Sequence, residues 1–583
     1  MPGFSVLLLK DKESVHLNIP AVRPVKKEKS IMKRPFQKVS ILAAIIVLFV
    51  ATGCEKKKET ASVAPSRKPI TISVFTIQPR QQPNPDNKAY KYLKEKLGVT
   101  FEWDILVGEV AQKRGVMIAG EDYPDVIEIN ETQFIDAGAL IPLEDLVEKY
   151  GPNIKAHFEE HWDKLRSPDG HIYYLTNWGI IRNKDQSPYY GASAMWVQKE
   201  VLKEAGYPKI VTMDQYFDLL INYAKKHPTM NGLKTIPFTI LTYDWHAFCL
   251  WNPPNFLAGY PNDGNGVVDP VTTQYKTFFT MDISKRWFKK LNELNAQGYI
   301  DRAAFSDNYD QYLAKLASGR VLGMHDQRWQ FQNADDALRD AGMYNRTYAP
   351  LPIVFDESIR PHYRDYPIPN LGRGVGISKK AKDPVRIIQF INDLLSEDVQ
   401  RMMQWGIEGE DWQRNEKGEP YRTPEQRKNW ENSTWQEKNR ALLVRDIFPN
   451  WEGSFNDGYP WDLSYYYPER EALTRPEDRE LWNAYGVTSY AELMDKNPPP
   501  NPIWYPTWTL PNPPDGSDAQ IALQRCDQTM RKYLPRVILS SPADFEKVWT
   551  EYVDQMKANG IAIYEAYMQD QLNKRIEAWS KKK

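Results

Sequence analysis

An α/β fold with more than one core is predicted by two features of the sequence. Between Ile70 and Ile129, three strand patterns alternate with two helical ones, and the chain of 583 residues is too long for a single hydrophobic core. The first strand is "ITISVFTI", beginning at Ile70, where apolar residues alternate. Asp86 to Leu97 then sets Tyr90, Leu93 and Leu97 on one helical face, and Gly98 stands where a helix would stop. "VTFEWDI" alternates Val99, Phe101, Trp103 and Ile105 as a second strand; Glu109 to Ala119 reads as a helix leading into a third strand, Asp125 to Ile129. Strand, helix, strand, helix, strand implies parallel pairing through crossovers.

The alternation resumes further on. "MWVQKEVLKEAG", Met195 to Gly206, reads as a strand running into a helix, and Thr212 to Gln215 forms a capping box ahead of the stripe Tyr216, Phe217, Leu220 and Tyr223, which Pro228 ends. Asp282 to Gln297 and Asp307 to Ser318 read as helices, and Arg320 to Asp326 as a strand. Pro384 follows Asp383 at a first-turn position, ahead of an apolar stripe at Ile387, Ile388, Ile391, Leu394 and Leu395. Residues 405–514 differ in texture: nine of the 19 Trp lie there, and "NPPPNPIWYPTWTLPNPP" can be neither regular helix nor central strand. Irregular loops packed on a lobe are expected for this region.

Upstream of the fold, Met32 begins a segment with Lys33, Arg34 and Lys38, an unbroken apolar run from Val39 to Val50, and small residues leading to Cys54. The run is short of the roughly 20 apolar residues that cross a bilayer and fits an export signal. Residues 1–31 read as an extension ahead of that signal, 1–53 fall outside the folded protein, and 54–69 read as a flexible tether.

From residue 54 onward, 66 basic and 73 acidic side chains leave a formal charge of -7, without the basic stripe of a nucleic-acid binder. Only Cys54, Cys249 and Cys526 occur. A domain of this size has no need of a disulfide, so Cys249 and Cys526 are expected as buried free thiols.

The ending Ala51-Thr52-Gly53-Cys54 resembles a bacterial lipobox, in which the cysteine is diacylated. Together with "DGHIYYLTNW" (Asp169 to Trp178), "MWVQKEVLKEAGYPKIVTMDQYFDLL" (Met195 to Leu220), "FKKLNELNAQGYID" (Phe288 to Asp301), "LASGRVLGM" (Leu316 to Met324), "GRGVGISKKAKDPVRIIQFINDLLS" (Gly372 to Ser396) and "WGIEGED" (Trp405 to Asp411), it makes the chain similar to bacterial extracellular solute-binding proteins of family 1. The likeness is to the long lipoproteins that serve carbohydrate ABC transporters. That resemblance implies a two-lobed, periplasmic-binding-protein-like fold of the maltose-binding-protein type (type II), with discontinuous lobes, a hinge and ligand in the cleft. By analogy, residues 68–180 plus 321–365 form lobe 1 and 181–320 plus 366–583 form lobe 2. It also implies a monomer anchored through Cys54 on the outer face of the cell membrane, with an oligosaccharide ligand and permease subunits as partners. Catalysis and cofactors are not expected.

Sugars present flat C–H faces rimmed by hydroxyls, so their sites need aromatic planes beside planar polar groups. Where Trp, Asp and Asn cluster at strand ends, such a site is expected: Asn177-Trp178, Asp244-Trp245 with Trp251, and Asp326 ahead of Trp329, with Asn130 and Arg373 in addition. Three other motifs are set aside. "HFEEHW" has the HxxEH spacing at His157, Glu160 and His161 but no obvious third ligand, so a solvated helix face is expected. "NDGNGVVD", Asn262 to Asp269, has Val267 where a calcium loop needs oxygen and reads as a Gly-rich hairpin; "HPTMNGLKT" lacks an acid, so no calcium is expected there either. "GRGVG" at Gly372 to Gly376 is neither a dinucleotide nor a P-loop fingerprint and reads as a close crossing between lobes. The rival function is a carbohydrate-active enzyme, with Asp244 and Asp326 as its two carboxylates; a surface sensor or adhesin without transport is the other alternative.

Overall fold

A computed structural model describes residues 68–580 apart from 79, 129–131 and 186. The expected signal, tether, Cys54 and Asn130 lie outside the described residues. Among those described, no helix is long and apolar enough to cross a membrane.

Two sheets organise the chain. In the first, Ile70–Thr76 pairs in parallel with Val99–Ile105 on one side and Val126–Glu128 on the other, and Val375–Ile377 and Tyr174–Leu175 complete five strands. The helix Lys88–Leu97 joins the first two strands: the Asn87 side chain accepts from the Ala89 and Tyr90 amides, and Gly98, at φ 67°, takes the left-handed turn that ends it. The Pro384–Leu394 helix, capped by Asp383, lays Ile387, Ile388 and Ile391 against this sheet's core. In the second sheet the order is Tyr348–Leu351, Ser193–Gln198, Val321–Gln327, Ile236–Thr239. The capping box at Thr212 and Gln215 starts the helix Met213–Lys226, whose Tyr216, Phe217 and Leu220 form that lobe's core with Trp287 and Leu291.

Strand pairing corrects the expected division of the chain. Val321–Gln327 and Tyr348–Leu351 both pair with Ser193–Gln198, so 321–365 belongs to the second lobe, not the first. Val375–Ile377 enters the first sheet, and Trp405, Trp412, Val444, Trp451 and Leu463 join its core. The chain therefore returns to the first lobe between about 371 and 465, and Leu481, Trp504 and the long helices Asp518–Leu539, Phe545–Ala558 and Ile561–Ser580 pack back on the second. Sequence spacing reports which segments are strands but not which of two sheets each one joins.

Residues 405–514 are also more regular than expected, containing the short helices Pro424–Glu431, Ser433–Asn439, Leu442–Ile447 and Pro476–Tyr485, the first ended at Asn432 and the last at Gly486. "GRGVG" does mark a close crossing: a side chain at Gly374 would stand 2.6 Å from the Leu175 carbonyl. "NDGNGVVD" lies in a hairpin, Gly266–Val268 pairing with Tyr275–Thr277. Cys249 and Cys526 are free and buried.

The three parallel strands of the first sheet end at Thr76, Ile105 and Glu128, and the segments linking the lobes leave at Leu175 and return at Val375, on that same edge. In the second sheet Thr239, Gln327 and Leu351 end, and Ser193 begins, on a common edge. The segments that cross between the lobes therefore run from the strand-end edge of one sheet to that of the other.

Candidate functional site

At the second-lobe edge, Ile236–Thr239 leads into the short 3₁₀ turn Asp244–Ala247, and Val321–Gln327 leads into the helix Arg328–Asp340. These two exits set the Trp245 and Trp329 indoles parallel, 5.7 Å apart and 10° between planes. Both are half exposed, at 55% and 51%. An exposed pair of indoles with aligned planes is costly in water and is the form of surface that a sugar face covers.

The pair is braced from behind. Trp245 stacks on His246 at 3.8 Å, and His246 on Tyr309 at 4.5 Å. Gln330 Nε2 donates to Asp326 Oδ1 (2.6 Å), which leaves its Oε1 to accept from His246 Nδ1. Asp326 itself is fully buried, taking donors from Tyr312, Cys249 and the Gln327 amide as well. Burial pushes its carboxyl up from 3.8 to about 6, against the pull of those donors. Trp329 Nε1 donates to Gln327 Oε1 (2.7 Å), which fixes the outer indole.

Three of the expected ligand contacts are thereby reassigned. Asp326 cannot reach a ligand, because its oxygens are spent inside the lobe. Trp251 is 6% exposed, in the core under the Arg531 guanidinium. Asn177 is buried, donating to the Asp446 carbonyl and accepting from Asn450, and so ties a crossing segment to the first lobe. Asp244 is exposed, held at φ 45° with its carbonyl accepting from Arg531.

At the first-lobe edge, Trp178 is 42% exposed on the segment that leaves Leu175, its carbonyl accepting from the Asn370 amide of the returning segment. Arg373 Nη2 donates to Glu128 Oε1 at 2.8 Å. Glu128 is fully buried and also accepts from Thr76 and the Ile77 amide; burial raises its carboxyl, and Arg373 pulls the other way. Sequence reasoning missed Glu128, His246, Gln330 and the exposed Tyr243; an acid closing an otherwise apolar strand was the available signal for the first.

The HxxEH residues do not share one helical face. The helix Pro152–Phe158 ends at His157's turn, Glu159 breaks it, and His161 stands on a 3₁₀ segment. His157 is buried, which drives its imidazole down to about 3.

A family profile of bacterial extracellular solute-binding proteins matches residues 88–407, more than half of the chain. The chain belongs to the bacterial extracellular solute-binding proteins. A curated relative, the fructooligosaccharide ABC transporter substrate-binding protein FusA of Streptococcus pneumoniae, is 26% identical over 345 residues, spanning 55% of this solute-binding protein and 61% of that one. Among solved structures, an HMO-binding ABC-transporter-associated solute-binding protein from Bifidobacterium longum infantis superposes with a TM-score of 0.61 at 18% identity, covering 87% of this chain and 99% of the other. FusA in complex with kestose gives 0.57 at 19%, covering 86% and 99%. These likenesses establish the two-lobed fold of this solute-binding protein.

Proposed function

We propose that this solute-binding protein captures an oligosaccharide between its lobes and delivers it to the permease of an ABC transporter, working as a monomer held to the outer membrane face by lipid on Cys54. The parallel, exposed Trp245 and Trp329 indoles carry the reading. They form a preformed apolar surface at one end of the second lobe's sheet; at the strand-end edge of the first lobe's sheet, Trp178 and the Arg373–Glu128 pair offer a third ring and a fixed guanidinium for hydroxyls. The similarity to FusA, a fructooligosaccharide ABC transporter substrate-binding protein, supports the same ligand class. Closure over the sugar would hinge on the crossing segments.

The enzyme reading loses its pair of carboxylates, since Asp326 is sealed behind the indoles and only Asp244 is exposed. Calorimetry and product analysis on the same samples test the proposal. Heat of binding with the oligosaccharide recovered intact is expected; shorter products, or no binding across neutral and acidic oligosaccharides, would overturn it. A diacyl group on Cys54 is expected by mass spectrometry of the membrane fraction, because two acyl chains anchor stably where one does not.

A further inference from the structure

The Pro-rich stretch from Asn497 to Pro514 is not a loose loop. It runs beside the segment that carries the chain from the second lobe back to the first. Arg360 donates to the Asn497 carbonyl (2.6 Å) and Arg364 to the Asp495 carbonyl (3.2 Å), and Asn501 and Tyr366 exchange a reciprocal pair of bonds. Beyond this stretch, Asp515 accepts from Arg114 and Gln133, both of the first lobe.

Its middle is fixed by buried charge. Asp263, 2% exposed, accepts from the Thr507 amide at 2.7 Å and from Trp504 Nε1 at 3.3 Å. The guanidinium of Arg575, also buried, donates to the carbonyls of Trp504, Pro506 and Thr509. Burying a carboxylate and a guanidinium is expensive, and here both are spent on holding six residues of backbone that has no ladder of its own. Gly264, at φ 77°, lets the turn press against Trp508, where a side chain would meet the Trp508 Cβ at 2.8 Å.

What this anchoring presents is Trp508. Its neighbours Trp504 and Tyr505 are buried, yet its own indole is 42% exposed, and its ring lies beside Gly372, next in the chain to Arg373. A rigid backbone, a half-exposed indole and an adjoining ion-paired arginine at the junction of the lobes make the chemistry of a further sugar subsite.

We propose that Trp508 is a ligand-contacting residue: the strap from Asn497 to Asp515 brings a ring from the C-terminal part of the chain to the inter-lobe site, beside Arg373. This rests on the oligosaccharide reading above. The strap is then part of the binding surface, and its anchors Asp263 and Arg575 are positioning residues.

Indole oxidation footprinting of the full mature chain tests it, read by peptide mass spectrometry with and without kestose, nystose, maltotriose, lacto-N-tetraose and a high-mannose glycan. The oligosaccharide that binds most tightly is expected to protect Trp508 several-fold. Trp508→Ala is expected to weaken that ligand at least tenfold, with Trp508→Phe recovering part of the loss and the thermal transition of the ligand-free protein little changed. Unprotected Trp508, or affinity within threefold of wild type in Trp508→Ala, would overturn the strap's role. If Trp329→Ala still weakens binding about a hundredfold in that case, the oligosaccharide reading stands without it. If no oligosaccharide binds the wild-type protein, both fall.

Discussion

Replacing Trp329 by Ala separates binding from folding, because the indole divides its area between the two. About half of the side chain is exposed. For a ring of roughly 250 Å², this leaves about 120 Å² to be covered by ligand, worth about 3 kcal/mol at 25 cal/mol per Å². That is about a hundredfold in affinity. On the folding side the variant loses its stacking on Trp245 at 5.7 Å and one hydrogen bond to Gln327. Aromatic pairs contribute about 1 kcal/mol and an exposed hydrogen bond about as much, a shift of only a few degrees in a protein of this size. Calorimetric titration with the best-binding oligosaccharide, beside thermal unfolding of the free protein, gives both numbers. Because the two indoles touch, Trp245→Ala and the double variant complete a cycle in which the losses should fall short of additive. An affinity for Trp329→Ala within threefold of wild type, or two fully additive losses, would refute the claim that one ring pair forms the ligand platform.

Three further outcomes follow from the buried polar groups and one tight strand. Asp326 has its carboxyl raised from 3.8 to about 6 by burial, so the folded state favours the protonated form. Its contribution is full below about pH 4 and fades as pH rises through 6, so wild type should lose up to about 3 kcal/mol relative to Asp326→Asn across that window in urea melts; parallel pH profiles would contradict this. Arg373→Met strands the buried Glu128 carboxylate. Because the Arg373 side chain is about a third exposed, the expected cost is about 2 kcal/mol, below the 3 to 5 of a fully buried pair, and adding Glu128→Gln should recover most of it in chemical denaturation. Gly323→Ala would drive a methyl into the Tyr216 hydroxyl, which holds the Trp196 carbonyl at 2.6 Å, and should cost about 1 to 3 kcal/mol in the second lobe's unfolding transition.

The elements were legible where a local rule acts alone. Thr212 and Asp383 are caps because a side-chain oxygen meets an amide three residues on, and short-range spacing records that. The lobe assignment was not legible. Val321–Gln327 reads as an apolar strand whichever sheet it joins, and only pairing with Ser193–Gln198 decides. The same limit divides the site. Trp178, Trp245 and Trp329 were singled out because a Trp close to Asp or Asn at a strand end is visible in one dimension, and all three are exposed. Trp251 and Asp326 satisfied the same rule and are buried, because Trp251 ends the short helix Phe248–Trp251 inside the core and the strand Val321–Gln327 is covered on both faces, which sequence spacing does not mark.

Asp326 shows why the misplaced residues still matter to function. Its carboxylate gathers Gln330, and Gln330 orients His246, on which Trp245 rests. On the proposed reading, a ring that meets ligand in one pose needs its rotamer set before ligand arrives, and a buried acid three contacts away does this without competing for the sugar's hydroxyls. An acid two residues before an exposed indole's helix therefore marks the ring's support without facing solvent itself. Sequence proximity picked out Asp326 beside the indoles and expected it at the surface, where the fold buries it.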